Sequence, residues 1–206
     1  MLIAINHQNP QGRLIKKVSD ILKDGGIVIY PTDTAYGIGC DLFNKKSIER
    51  VYQIARRPKE QPLSFICHSL KEISVYANVS NFAYRILKRH LPGPYTFILE
   101  ATRVVPKIIL PKRQTVGIRI PDNNICLAIV EEFGHPLISA TVKGENGEPL
   151  NEPSIIQNRF GSMVEIIVDG GIIPADESTV ISLLDDELTL MRKGKGDIHA
   201  SYKNIG

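Results

Sequence analysis

Short apolar runs rich in β-branched residues alternate with amphipathic helical stretches along nearly the whole chain, and this alternation restricts the fold more than any other feature. Residues 12–24 place Leu14, Ile15, Val18, Ile21 and Leu22 on one side of a helix, which Gly25-Gly26 stops. Ile27-Val28-Ile29-Tyr30 then reads as a buried strand ended by Pro31. The same punctuation predicts helices over 45–57, 69–77, 80–90, 123–133 and 153–160. It predicts strands over 63–67, 95–101, 115–120, 137–141, 164–168, 179–184 and 188–192. Elements alternating in this way build a layered α/β fold. Several strands follow one another closely near the C-terminus, so the expected sheet is mixed rather than wholly parallel. Residues 142–153, rich in Gly, Glu, Asn and Pro, read as a mobile loop. No linker interrupts the 206 residues, which are expected to form one domain.

Charge and cysteine usage narrow the function classes. A formal net charge of +3 suits anionic ligands such as nucleotides but falls short of a nucleic-acid-binding signature. Cys40, Cys67 and Cys126 are far apart and form no CxxC pair. That argues against a disulfide framework or a zinc site and for a reducing, cytoplasmic setting. The N-terminus reads as too short and polar for a secretory signal, and no stretch reaches membrane-span length. The five histidines lack HExxH spacing, the GxxxxGK[ST] loop is absent, and no covalent nucleophile is expected. His68 reads as structural, and Lys88, Arg89 and His90 as the solvated face of a helix whose other side carries Phe82, Ile86 and Leu87.

Six segments carry groups that could do chemistry. In the first, Tyr30–Gly39, a strand feeds Pro31, the polar Thr32-Asp33-Thr34, and glycines at 37 and 39. Such a loop is either a ligand-binding edge of the sheet or an ordinary hydrogen-bonded turn. In the second, Arg56, Arg57 and Lys59 either grip phosphates or simply answer the negative end of a helix dipole. In the third, Arg119 sits in the apolar strand 115–120, where a buried charge needs a ligand carboxylate or an internal acid. Ser139, Thr141 and Lys143 leave one strand, Glu177-Ser178-Thr179 enters another, and Arg192-Lys193-Gly194-Lys195 makes a basic turn after the last.

Together these words resemble the YrdC/TsaC family of threonylcarbamoyl-AMP synthases. The match lies in GGIVIYPTDTAYGIGCD at 25–41, LPGPYTFIL at 91–99, TVGIRIPDN at 115–123, PLISAT at 136–141, DGG at 169–171, ESTVI at 177–181 and LMRKG at 190–194. The words stand in family order and span residues 13–196. The resemblance implies a three-layer α/β fold around a twisted mixed sheet, with a positively charged cavity. It implies an enzyme that joins L-threonine or a related amino acid, bicarbonate and ATP into threonylcarbamoyl-AMP and pyrophosphate, with Mg2+ accompanying the nucleotide, in service of tRNA t6A modification. By resemblance, Thr32, Arg119, Ser139 and Ser178 hold threonine, and Arg57, Thr115, Thr141, Lys143 and Arg192 hold the nucleotide.

The chain departs from the family pattern at three positions. Ala55 stands where the KxR motif has its lysine, Gln61 stands for a second lysine, and the Ser-Ala-Asn motif reads Thr141-Val142-Lys143. Losing one charge-assisted phosphate contact removes about 1.5–3 kcal/mol. The pattern is most similar to the YciO branch. It leaves open an alternative: a double-stranded RNA-, tRNA- or ribosome-binding paralogue with little catalysis.

Overall fold

The computed structural model describes residues 1–197. In chain order the elements are β1 (Leu2–Ala4), α1 (Gly12–Lys23), β2 (Val28–Tyr30), β3 (Gly37–Asp41), α2 (Lys45–Ile54), β4 (Ser64–Ile66), α3 (Leu70–Tyr76), α4 (Asn81–His90) and β5 (Tyr95–Glu100). There follow β6 (Thr115–Arg119), α5 (Asn124–Phe133), β7 (Leu137–Thr141), α6 (Pro153–Phe160), β8 (Ile166–Asp169), β9 (Thr179–Ser182) and β10 (Thr189–Arg192). The strands form one sheet in the order β1-β8-β2-β3-β7-β4-β6-β5-β9-β10. Parallel pairs such as β4 with β6 stand beside antiparallel ones such as β3 with β7, so the sheet is mixed, as expected.

Local chemistry fixes the helix ends. Asn44, Ser69, Ser80 and Asn123 are N-caps, each accepting a hydrogen bond from the backbone N–H three residues on. Gly25 and Gly134 take the left-handed conformation that ends α1 and α5. Each strand shows one set of alternate side chains to each face. On one face, Ile38, Phe65, Phe97, Ile118, Ile138 and Ile181 pack with α2, α3, α4 and α6. On the other, Val28, Tyr30, Ile66, Leu137, Ile166 and Val168 pack with α1 and α5. The result is three layers, with the second face only partly covered by helix. No helix among the described residues is long and apolar enough to cross a membrane.

Four expectations need correction. Gly37–Gly39, the end of the segment read as a loop, opens β3 (Gly37–Asp41) inside the sheet, and Leu2–Ala4 adds an edge strand beside β8. The helix expected over 45–57 stops at Ile54, because Arg56 adopts a left-handed φ of 48°. Residues 142–150 close into a hairpin, with the Leu150 N–H donating to Val142 O at 2.9 Å and the Gly144 N–H to Glu148 O at 2.8 Å. His90 is buried, its ring 5.0 Å from that of Tyr95 and its Nδ1 2.8 Å from Ile86 O, rather than solvated.

Candidate functional site

The part of the second face that α1 and α5 leave open is a cavity of about 330 Å³, within the range of small-molecule sites. Strand alternation builds its floor. Thr115, Gly117 and Arg119 are every second residue of β6, and Ser64 and Ile66, Thr96 and Ile98, and Ser139 and Thr141 are their counterparts on β4, β5 and β7. Register aligns them, because Ser64 lies opposite both Gly117 and Ser139, and Ile98 lies opposite Gly117. Four residues of strand separate Thr115 from Arg119, roughly 13 Å, so the two mark opposite ends of the floor.

At one end, Arg119 is 8% exposed. Its NH2 is paired with Asp33 and donates to Thr34 Oγ1 at 2.7 Å and Thr32 Oγ1 at 3.3 Å. The internal acid anticipated for a buried arginine is therefore Asp33, from the polar loop after β2. Among the described residues, Arg119 Nε and Asp33 Oδ2 find no hydrogen-bond partner. Beside them, the buried Tyr30 hydroxyl donates to Ser139 Oγ at 2.6 Å. Burial raises the Tyr30 pKa far above its ordinary value, so the phenol stays a neutral donor. Ser178 Oγ lies 2.8 Å from Thr96 Oγ1.

The rim carries the cations. Arg57 Nε and NH2 donate to the carbonyls of Gln61 and Pro62 at 2.9 and 3.0 Å, which folds the 58–62 loop against the cavity. Burial is the main cause of a lowered Arg57 pKa, and the charge of Arg192 adds to it. Arg192 Nε and NH2 donate to Ser178 O at 3.2 and 2.9 Å. Glu177 bridges Lys143 at 2.7 Å and Arg192 at 2.9 Å.

Burial alone would raise the Glu177 pKa, but the Lys143 hydrogen bond and the charges of Arg192, Lys143 and Arg57 outweigh it and hold the carboxyl below its ordinary value. A depressed folded-state pKa stabilises the protein above the unfolded value and is lost as pH falls through the folded one. Glu177→Gln is therefore expected to flatten the decline of melting temperature below about pH 4.5. A decline as steep as that of the unsubstituted protein, followed by circular dichroism, would contradict this.

Of the residues singled out from sequence, Thr32, Arg119, Ser139 and Ser178 line the cavity, as do Arg57, Thr115, Thr141 and Arg192. Lys143 does not; it turns outward to Glu177. Ala55 and Arg56 line a separate crevice with Lys143 and Phe160, so Arg56 does not stand in for the missing lysine on the cavity wall. Sequence reasoning missed Ser64, Thr96, Glu60 and the supporting hydroxyl of Tyr30. The signal for Ser64 and Thr96 was alternation, a polar residue directly before an apolar core one on a strand, Phe65 and Phe97. Cys40, Cys67 and Cys126 are buried, and burial raises all three thiol pKa values, which leaves them unreactive.

A family model described as Sua5_yciO_yrdC, telomere recombination, matches residues 20–194. The protein YciO of Escherichia coli K12 is 38% identical over 196 residues, covering 94% of this chain and 95% of that one. A crystal structure of E. coli YciO superimposes with a TM-score of 0.92, covering 96% of this chain and 97% of the other. A threonylcarbamoyl-AMP synthase of Pyrococcus abyssi is 30% identical over 93% of this chain, which spans only 57% of that longer protein. A crystal structure of P. abyssi Sua5 complexed with L-threonine superimposes with a TM-score of 0.93 at 27% identity, covering all of this chain and 61% of that one.

Proposed function

This chain belongs to the Sua5/YciO/YrdC family, and from that premise we propose that its cavity binds ATP and L-threonine or a related amino acid and joins them, with bicarbonate, into a carbamoyl-adenylate. The observation that carries this reading is the convergence of two groups of side chains on one sheet face. Arg119, Thr32, Ser139 and Ser178 suit an amino acid, and Arg57, Thr115, Thr141 and Arg192 suit a nucleotide. The reaction needs no protein nucleophile. The amino group takes up bicarbonate as a carbamate with loss of water. A carbamate oxygen then attacks the α-phosphorus, and the bond to pyrophosphate breaks.

The chain's part is to hold the reactants in line and neutralise charge. Arg119 Nε, unpartnered among the described residues, is a donor suited to the amino acid's carboxylate. Arg57 and Arg192 face the phosphates. Magnesium ions bind largely through substrate phosphates with one or two protein carboxylates, and Glu60 on the wall fits that role. The metal would supply charge neutralisation on the phosphates.

The test is mass spectrometry of the purified protein incubated with ATP, Mg2+, bicarbonate and L-threonine. Threonylcarbamoyl-AMP is expected. Thr141→Val makes the best control, since the side chain lines the cavity at the end of β7 and the change keeps its shape. Loss of one hydrogen bond to a phosphate should lower kcat/KM roughly tenfold to a hundredfold with the fold intact. Product formed equally well by the variant would remove Thr141 from the site. A well-folded preparation that binds no nucleotide would end the reading.

A further inference from the structure

Glu177 is tied to the cavity through Arg192, one of the residues that line it. Its carboxylate holds Lys143 at 2.7 Å and Arg192 at 2.9 Å, one cation on each oxygen. Arg192 does not depend on Glu177 for its place, because Ser178 O and Oγ accept three further hydrogen bonds from its guanidinium. Glu177 is itself anchored through the backbone, its carbonyl accepting from the Lys195 N–H at 2.9 Å. Lys143 has Glu177 as its ion-pair partner and is 41% exposed. It follows Val142, whose N–H is tied to Tyr36 O at 2.9 Å beside the cavity wall. The lysine can therefore swing while its backbone stays fixed.

We propose that Glu177 is an internal anion that competes with polyphosphate for Arg192 and Lys143, weakening the hold on pyrophosphate so that this product leaves. This deepens the nucleotide reading above and rests on it. When polyphosphate arrives, Arg192 stays on Ser178 and shares its outer nitrogen with the ligand, while Lys143 turns from Glu177 toward the phosphates. When the polyphosphate leaves, Glu177 takes both cations back. A carboxylate held on these two cations acts on the β- and γ-phosphates that would contact them, which AMP lacks. Removing its charge should therefore tighten pyrophosphate and ATP and leave AMP nearly unchanged.

The experiment is calorimetric titration of the whole chain, unsubstituted and as Glu177→Gln, with inorganic pyrophosphate, ATP and AMP. Glu177→Gln is expected to bind pyrophosphate roughly tenfold tighter, with AMP within about twofold. Lys143→Gln, a change at an exposed side chain, should weaken pyrophosphate several-fold, because Glu177 then bears wholly on Arg192. Unchanged or weaker pyrophosphate binding by Glu177→Gln overturns the proposal. If the unsubstituted protein binds ATP in that case, the nucleotide reading survives and only the competing anion is lost. If no form binds ATP or pyrophosphate, both fall. Pyrophosphate binding that emerges only on substitution supports both.

Discussion

Arg119→Ala is expected to lower stability by about 3–5 kcal/mol, the usual cost of leaving a buried charge without its partner. Arg119 and Asp33 are each 9% exposed at the side chain and paired to one another. Removing the guanidinium strands the Asp33 carboxylate beside Thr32 and Thr34, which also lose a donor. For a chain of this size such a loss corresponds to a fall in melting temperature of about 6–20 °C. Urea unfolding measures it, and a loss below about 1 kcal/mol would show that the pair is better solvated than its burial implies. The companion variant removes both charges at once. Arg119→Met with Asp33→Val should lose less than the single change, because an apolar pair of similar bulk carries no stranded ion. One practical consequence is that Arg119→Ala is a poor control for activity. Its product yield would confound a missing carboxylate contact with a weakened fold, whereas Thr141→Val separates the two.

Much of this architecture was legible because each signal was local. Period-3.6 stripes gave the helices, and apolar runs bounded by Pro and Gly gave most of the strands. The family words then pointed to residues that, Lys143 apart, the fold does bring to one cavity. What escaped was decided by contacts distant in sequence. Nothing near Glu177 announces that its partner is Lys143, since the hairpin carrying that lysine meets the 177 segment only in the folded chain. The helix over 45–57 has a stripe that continues past Ile54, but the left-handed turn at Arg56 redirects Arg57 toward the 61 and 62 carbonyls. His90 sits among Lys88 and Arg89, which hides its ring's burial against Tyr95. The start of strand β3 reads as part of a loop, whether ligand-binding or an ordinary turn, for a reason that is physical as well as statistical. Its glycines are required by Tyr30, seven and nine residues earlier, not by any need for a turn.

That requirement gives the second large effect. Tyr30, Gly37 and Gly39 share one face of the β2–β3 pair, and the Tyr30 ring lies across both glycines. A Cβ on Gly39 would stand 2.8 Å from Ile138 O and 3.1 Å from the Tyr30 ring. Neither neighbour can yield easily. Ile138 O belongs to a paired strand, and the Tyr30 hydroxyl is held on Ser139 at 2.6 Å. Gly39→Ala is therefore expected to cost about 1–3 kcal/mol, the range for overpacking a filled core, and Gly39→Val more. The damage should also reach the cavity, because a displaced Tyr30 releases Ser139 from its place on the floor. Gly12→Ala provides the contrast, since a Cβ there meets nothing within 4 Å in the first turn of α1. That change should be neutral or stabilising by up to about 1 kcal/mol, as alanine favours helix over glycine. Thermal unfolding of the two variants, with threonine binding measured on each, separates the cases. Equal stability for both would mean that β3 tolerates side chains at its glycines, and the reason offered for their presence would be wrong.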